Sequence, residues 1–165
     1  MSLLHDAYTA LLSGLTTKTV NEIHWQDESG LPITIEPIDV SKEKYIVRRY
    51  YSNGNKHLEL KYQNGKLHGK CFEWYASGNK LREQEYQNDK RHGKYIEWNE
   101  DGNKNWEAEY RKDKQHGKYI GWFENGKKKW EAEYQNGQCC GKYIEWDKSG
   151  NKRWEREYQN GKLIK

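Results

Sequence analysis

The sequence predicts an all-β protein, an elongated single-layer antiparallel meander of tandem β-hairpins with a short N-terminal helix as a cap. The segment Tyr62–Trp74 recurs every 24 residues, and a fixed period of this size is typical of repeat proteins. Each repeat contains two turn signals, such as Asn64-Gly65 and Ser77-Gly78. The chain has 8 Trp and 13 Tyr, although only 33% of its residues are hydrophobic. This composition favours a thin sheet with half-buried aromatic rings.

Four full repeats follow one another without an insertion, and partial repeats lie at both ends of the array. The full repeats span residues 62–85, 86–109, 110–133 and 134–157. A further repeat begins at Tyr158, and half a repeat precedes the first full one. We therefore predict two regions, a cap and a repeat array, with the bounds 1–40 and 41–165.

The strands between the turns predict which side chains share a face of the sheet. Neighbouring residues of a strand point to opposite faces. If every loop has three residues and ends in Gly, even-numbered residues of all strands share one face. That face is a candidate binding surface with these tryptophans: Trp74, Trp98, Trp106, Trp122, Trp130, Trp146 and Trp154. The opposite face is predicted to be acidic, with a second candidate set of binding residues: Tyr95, Tyr119 and Tyr143.

The repeat resembles the MORN repeat (membrane occupation and recognition nexus), particularly its variant form. The signature E-x-E-Y-x-N-G-K-x-x-G-K is matched by residues 83–94 and 131–142. The resemblance implies an elongated, twisted sheet of hairpins. It also implies scaffolding, dimerisation, protein contact and, in some members, association with phospholipid membranes. This chain departs from the pattern where Asp89 and Asp113 replace the turn glycine, and where Cys139-Cys140 replaces the usual x-His pair.

The N-terminal segment differs from the repeats. Residues 2–13 are predicted to form a short amphipathic helix, and residues 18–36 a degenerate hairpin that ends in a break at Pro37 and Asp39. A capping role is expected because a repeat array exposes unpaired strand edges. Insertion of the helix into a membrane or a partner, and a flexible tail, remain open alternatives.

Residue clusters that could carry chemistry are more simply explained by the repeat. His68, His92 and His116 are equivalent residues about 10 Å apart, whereas zinc ligands lie about 2 Å from one ion. Cys139 and Cys140 should point to opposite faces of a strand. The glutamates recur in every repeat without the singular, asymmetric site that catalysis needs. We therefore expect no enzyme activity, no metal site and no cofactor.

Charge and composition narrow the class of partner. The net charge is +4, from 29 basic and 25 acidic residues, and the lysines lie mainly near the turns. Nucleic acid is therefore not the expected partner. The N-terminus lacks the basic region of a secretory signal, there is no apolar run long enough to span a membrane, and the 3 cysteines show no disulfide framework. We expect an intracellular, cytoplasmic protein, with peripheral attachment to a membrane as an option.

The predicted function is a non-enzymatic repeat scaffold that mediates protein–protein interaction and self-associates as a homodimer. The identity of its protein partner does not follow from the residues. Two alternatives stay open. One is peripheral binding to an anionic phospholipid membrane. The other, which the resemblance implies because variant repeats occur in bacterial proteins labelled antitoxins and in large DNA viruses, is an antitoxin-like or host-directed protein with one specific protein partner.

Overall fold

The computed structural model describes residues 23–26, 29–39 and 43–165, and the 14 strands in these residues form one antiparallel sheet. The predicted helix at residues 2–13 lies outside the described residues. Within them there is no helix, and so none long and apolar enough to cross a membrane. The strands are β1 (Ile23–Gln26), β2 (Pro32–Asp39), β3 (Lys44–Tyr50), β4 (Lys56–Gln63), β5 (Lys66–Leu67), β6 (Gly69–Trp74), β7 (Lys80–Gln87), β8 (Lys90–Trp98), β9 (Lys104–Arg111), β10 (Lys114–Trp122), β11 (Lys128–Gln135), β12 (Gln138–Trp146), β13 (Lys152–Gln159) and β14 (Lys162–Leu163).

Consecutive strands pair with each other, and the order along the sheet follows the order along the chain. The one side branch is short: β5 pairs with β4, and β6 then continues the pairing with β4 beyond His68. The amide of His68 donates to the carbonyl oxygen of Lys61 at 2.9 Å across this interruption. The predicted all-β antiparallel meander is therefore confirmed for the described residues.

The first turn of each repeat is a two-residue loop. In the turn between β9 and β10, Arg111 pairs with Lys114, and only Lys112 and Asp113 lie between them. Both have positive φ angles, 52° and 67°, as a type I′ turn requires. Asn88 and Asp89 have almost the same angles, 51° and 66°. The prediction of a three-residue loop is wrong for this turn.

The second turn is the predicted three-residue loop ending in Gly. Asn99 and Asn103 flank the loop, with the Asn99 amide 2.9 Å from the Asn103 carbonyl oxygen, and Gly102 has a φ angle of 83°. A β-bulge follows at once. Trp98 pairs with Lys104 but the next pair joins Glu97 to Trp106, so one additional residue stands in β9.

These two features overturn the predicted division into an even-numbered aromatic face and an odd-numbered acidic face. Tyr95 pairs with Ala108, and Ala108 pairs in turn with Tyr119, and residues paired directly opposite each other share a face. The two-residue turn places an odd-numbered residue opposite an even-numbered one, and the bulge does the same at the other end of the strand. Each face therefore combines odd residues of one strand with even residues of the next.

The degenerate N-terminal hairpin is confirmed as β1 and β2, but the predicted break at Pro37 and Asp39 is wrong. Strand β2 continues to Asp39, with only a shift of register between Pro37 and Asp39. Because β2 pairs with β3, the sheet runs on past residue 40, and the division into a cap and an array stays a prediction. A small apolar cluster lies at this end of the sheet: Ile33, Ile35, Tyr45 and Val47, with Leu60 and Tyr62 packed against it.

Candidate interaction surfaces

The aromatic residues divide between the two faces of the sheet. The first surface, the tyrosine–tryptophan face, comprises Tyr95, Trp106, Tyr110, Tyr119, Trp130, Tyr134, Tyr143 and Trp154. The second lies along the opposite face, towards the three-residue turns. This lysine–tryptophan ladder comprises Trp74, Lys80, Trp98, Lys104, Trp122, Lys128 and Trp146.

Rings on the tyrosine–tryptophan face contact one another across successive strands. The ring centroids of Tyr95 and Trp106 lie 4.2 Å apart in a stacked arrangement, and Trp106 meets Tyr119 edge to face at 5.6 Å. Tyr119 then lies 4.3 Å from Trp130. Further along, Tyr143 stacks on Trp154 at 5.0 Å. The outcome is an aromatic strip, most of whose rings are half-buried within this chain.

Burial on this face decreases towards the C-terminal repeats. Tyr95 and Tyr110 are buried, whereas Tyr119, Tyr143 and Trp154 are only partly covered. At the position of Ala108 and its equivalents, the last repeat carries the exposed Arg156, whose guanidinium lies 4.5 Å from the Trp154 ring centroid. The aromatic strip is therefore most accessible at β12 and β13.

Burial favours the protonated form of three tyrosines on this face. Burial raises the pKa of Tyr95, Tyr119 and Tyr143 above the usual value of 10.0. The hydroxyl of Tyr95 donates to Oε2 of Glu97 at 3.0 Å. The guanidinium of Arg82, on the neighbouring strand, lies 5.7 Å from the Tyr95 ring centroid. A negative and a positive side chain, Glu97 and Arg82, thus both border this ring.

The lysine–tryptophan ladder alternates cations and indole rings from one hairpin to the next. Lys104 is paired with Trp98 across the turn, and its Nζ lies 5.4 Å from the ring centroid of Trp122. The same contact recurs in other repeats: Lys56 with Trp74 at 5.3 Å, Lys80 with Trp98 at 5.3 Å and Lys128 with Trp146 at 5.8 Å. Each exposed cation–π contact contributes about 0.5–1 kcal/mol.

The same lysines also hold the glutamates of this face. Nζ of Lys104 lies 2.7 Å from a carboxylate oxygen of Glu107, three residues along β9. Where a second lysine reaches over from the preceding strand, the carboxylate has two cations: Glu155 is held by Lys142 at 2.7 Å and by Lys152 at 2.5 Å. The hydrogen bonds from these lysines lower the pKa of Glu155 to about 2. Much of the positive charge on this face is therefore neutralised within the sheet.

The structure regroups the predicted binding residues. Trp106, Trp130 and Trp154 lie on the same face as Tyr95, Tyr119 and Tyr143, which the sequence had placed opposite them. Trp74, Trp98, Trp122 and Trp146 lie on the other face among glutamates and lysines. The sequence reasoning missed the lysines between these indoles. The signal that could have shown the regrouping is the pair Asn64-Gly65 and its equivalents, which is typical of a two-residue type I′ turn.

The histidines and cysteines form no evident reactive centre in the described part of the chain. No group of three His, Cys, Asp or Glu side chains there could hold a metal ion. His68, His92 and His116 each have a buried Nδ1 atom without a hydrogen-bond partner among the described residues. Cys139 and Cys140 are free thiols, and burial raises the pKa of both, which lowers their reactivity as nucleophiles.

The repeat also matches a known family. The profile described as MORN repeat variant matches residues 67–88 and 115–136, and the two matches include β6 with β7 and β10 with β11, the same hairpin two periods apart. These two segments are MORN repeats of the variant type. MORN repeats are generally associated with protein–protein or membrane interactions. A comparison with curated proteins gives no significant match.

Proposed function

We propose that this MORN array is a non-enzymatic scaffold that binds protein surfaces, and that it self-associates through its tyrosine–tryptophan face. The observation that carries the proposal is the strip of half-buried rings from Tyr95 to Trp154. A single layer of sheet does not cover this strip, and contiguous apolar patches usually mark interaction sites. Half-buried Trp and Tyr are also the side chains most enriched at the centres of protein interfaces.

The charges beside the rings favour a second copy of the chain as one partner. Glu145 and Arg153 form an ion pair at 3.6 Å next to Trp154, and Arg156 lies over the Trp154 ring. A two-fold dimer brings the same patch together from both subunits, so the patch must be self-complementary. A patch with aromatic rings, a guanidinium and a carboxylate meets this requirement.

Protein binding is favoured over binding to anionic lipid because the lysines of the ladder are paired with glutamates of the same sheet. Attraction to a lipid surface contributes about 1 kcal/mol for each lysine near it. Lys104, Lys128 and Lys152 instead contact glutamates within the sheet at 2.7, 2.5 and 2.5 Å. These lysines are therefore less available to a lipid headgroup than unpaired lysines would be.

Self-association is tested by light scattering over a concentration series of the full chain. We expect a concentration-dependent dimer that Trp154→Glu weakens by about tenfold or more, as at a central interface position. Glu157→Arg is the matched control, because Glu157 pairs with Lys142 across the opposite face, and it should leave the dimer intact. A monomer at every concentration, or a dimer unchanged by Trp154→Glu, would contradict the proposal. Binding to phosphatidylserine vesicles that salt abolishes would favour the lipid alternative.

A further inference from the structure

One position of the repeat changes its side chain from hairpin to hairpin, and the first two occupants make the same contact. The position lies directly after the aromatic residue that ends a strand, which is Tyr50 in β3 and a tryptophan in the later repeats, and it is occupied by Tyr51, Tyr75, Asn99, Phe123 and Asp147. The hydroxyl of Tyr51 donates to the carbonyl oxygen of Trp74 at 2.8 Å, and that of Tyr75 donates to the carbonyl oxygen of Trp98 at 2.9 Å. Each phenol thus joins its own turn to the next hairpin.

The repeat that contains Asn99 lacks this contact. Asn99 is too short to reach the next hairpin, and its Oδ1 instead accepts from the amide of Asn103 at 2.9 Å. The bulge residue beside it is changed as well. In the first of these turns His57 packs against Tyr51 at 4.5 Å, whereas the equivalent Asn105 donates to Oε1 of Glu97 at 3.0 Å. Asn99 and Asn105 therefore do not fill the space beside the next hairpin that Tyr51 and His57 occupy in the first turn.

A cavity of about 750 Å³ lies at this place. Its lining combines two aromatic rings, three asparagine amides, three lysines and one glutamate. We call it the Asn99 slot, and its principal residues are Asn99, Asn105, Trp122, Phe123, Lys129 and Lys148. In the described part of the chain, Lys129 and Lys148 form no ion pair, although Lys129 lies 5.7 Å from the Phe123 ring. The slot is therefore aromatic in its walls and positive at its rim.

We propose that the Asn99 slot binds a tyrosine side chain presented by an acidic segment of a partner protein. The incoming phenol takes the place that Tyr75 fills in the preceding repeat, and its hydroxyl donates to the carbonyl oxygen of Trp122. Carboxylates flanking the tyrosine face Lys129 and Lys148. The inference rests on the proposed protein-binding function and adds a site at the turn edge, apart from the tyrosine–tryptophan face.

The hydroxyl distinguishes tyrosine from other aromatic side chains at this site. The array itself uses a phenol twice to reach the equivalent carbonyl oxygen. A phenylalanine would fill the volume but would leave the carbonyl of Trp122 without that donor, and a lost hydrogen bond reduces binding by about fivefold. The charge balance at the rim favours an anionic segment and predicts weaker binding at high salt.

The test is a titration of the full chain with an acetylated Glu-Asp-Tyr-Glu-Asp peptide, followed by amide chemical shifts in nuclear magnetic resonance. We expect saturable shifts at the turns around Asn99, Phe123 and Lys148. Peptides with Phe or Ala in place of Tyr should bind about fivefold more weakly and not at all, respectively. Equal binding of all three peptides, or shifts spread over the whole surface, would overturn the proposal.

Two variants test the slot. Asn99→Tyr restores the side chain of the earlier repeats, and we expect it to abolish peptide binding and to leave dimerisation unchanged. The double variant Lys129→Glu with Lys148→Glu reverses the charge at the rim, and we expect it to abolish binding of the acidic peptide while dimerisation persists. If either folded variant binds the peptide as the wild type does, the slot is not the site.

Failure of this inference can be separated from failure of the proposed function. Trp154→Glu removes the expected dimer contact but does not touch the Asn99 slot. Loss of dimerisation with retained peptide binding would leave the inference intact. A dimer that requires Trp154, together with no peptide binding, would overturn the slot alone.

Discussion

Asp89 and Asp113, which depart from the repeat pattern, form a contact that glycine cannot make. Each stands at the second position of a two-residue turn, with φ angles of 66° and 67°. Oδ1 of Asp89 accepts from the amide of Leu67 at 2.8 Å, and Oδ1 of Asp113 accepts from the amide of Arg91 at 2.9 Å. The backbone amides of Asp89 and Asp113 donate to the carbonyl oxygens of Leu67 and Arg91, respectively, each at 3.0 Å. Each aspartate thus joins two successive hairpins by two hydrogen bonds.

The role of Asp113 predicts different effects for two substitutions. Asp113→Ala removes the side-chain acceptor and keeps a positive φ angle that alanine tolerates poorly, so we expect a loss of about 1–2 kcal/mol in the free energy of unfolding. Asp113→Gly loses the acceptor but relieves the strain, and should change stability by less than about 1 kcal/mol. Urea unfolding measures both. Equal effects of the two substitutions would show that the hydrogen bond and the strain were wrongly assigned.

Strands on the lysine–tryptophan side are joined by side chains as well as by backbone hydrogen bonds. Lys128 contacts Trp146 in the following hairpin and Glu131 in its own strand. Isolated exposed ion pairs contribute little, about 0–1 kcal/mol. A row in which each lysine has both an indole and a carboxylate as neighbours is an ordered network, and it accounts for the regular placement of Lys, Trp and Glu in every repeat.

The paired glutamates predict loss of stability in acid. Hydrogen bonds from Lys142 and Lys152 lower the pKa of Glu155 from 4.5 to about 2. The pKa of Glu83 is also lowered, because burial, which raises it, is outweighed by the hydrogen bond and the charge of Lys70. A carboxylate whose pKa is lowered by folding stabilises the protein at any pH above its pKa in the unfolded state. This stabilisation is lost as the pH falls towards and through its pKa in the folded state. The melting temperature should therefore fall between pH 4.5 and about 2. Glu155→Gln should show a shallower fall, and an equal slope would contradict the assignment.

At the scale of the whole molecule, the repeats build a sheet that is much longer than a compact domain is wide. The path from β1 to β14 passes through 13 strands, and a spacing of about 4.8 Å gives a length of about 58 Å. A compact domain of 165 residues has a radius of gyration of about 15 Å. We expect a clearly larger value by X-ray scattering at concentrations where the chain is monomeric. A value near 15 Å would contradict the open sheet.

Features that depend on neighbouring residues could be predicted from the sequence alone. The 24-residue period, the turn pairs and the short strands predicted the antiparallel meander. These features are local, because Asn-Gly and Asp-Gly pairs reverse a strand through their own backbone preferences. The all-β prediction and the degenerate hairpin at β1 and β2 are confirmed for the same reason.

Which residues meet on a surface could not be predicted in this way, because it depends on the three-dimensional arrangement of the strands. A change of one residue in a loop or bulge moves every following side chain to the other face, so the two-residue turns and the bulges placed Tyr95 beside Trp106 against the predicted grouping. The Asn99 slot likewise lies where Asn99 does not reach the next hairpin, whereas Tyr75 one repeat earlier makes a hydrogen bond to a residue 23 positions away. Register and contacts between repeats are set by the packing of whole hairpins, and that packing lies beyond the reach of local sequence preferences.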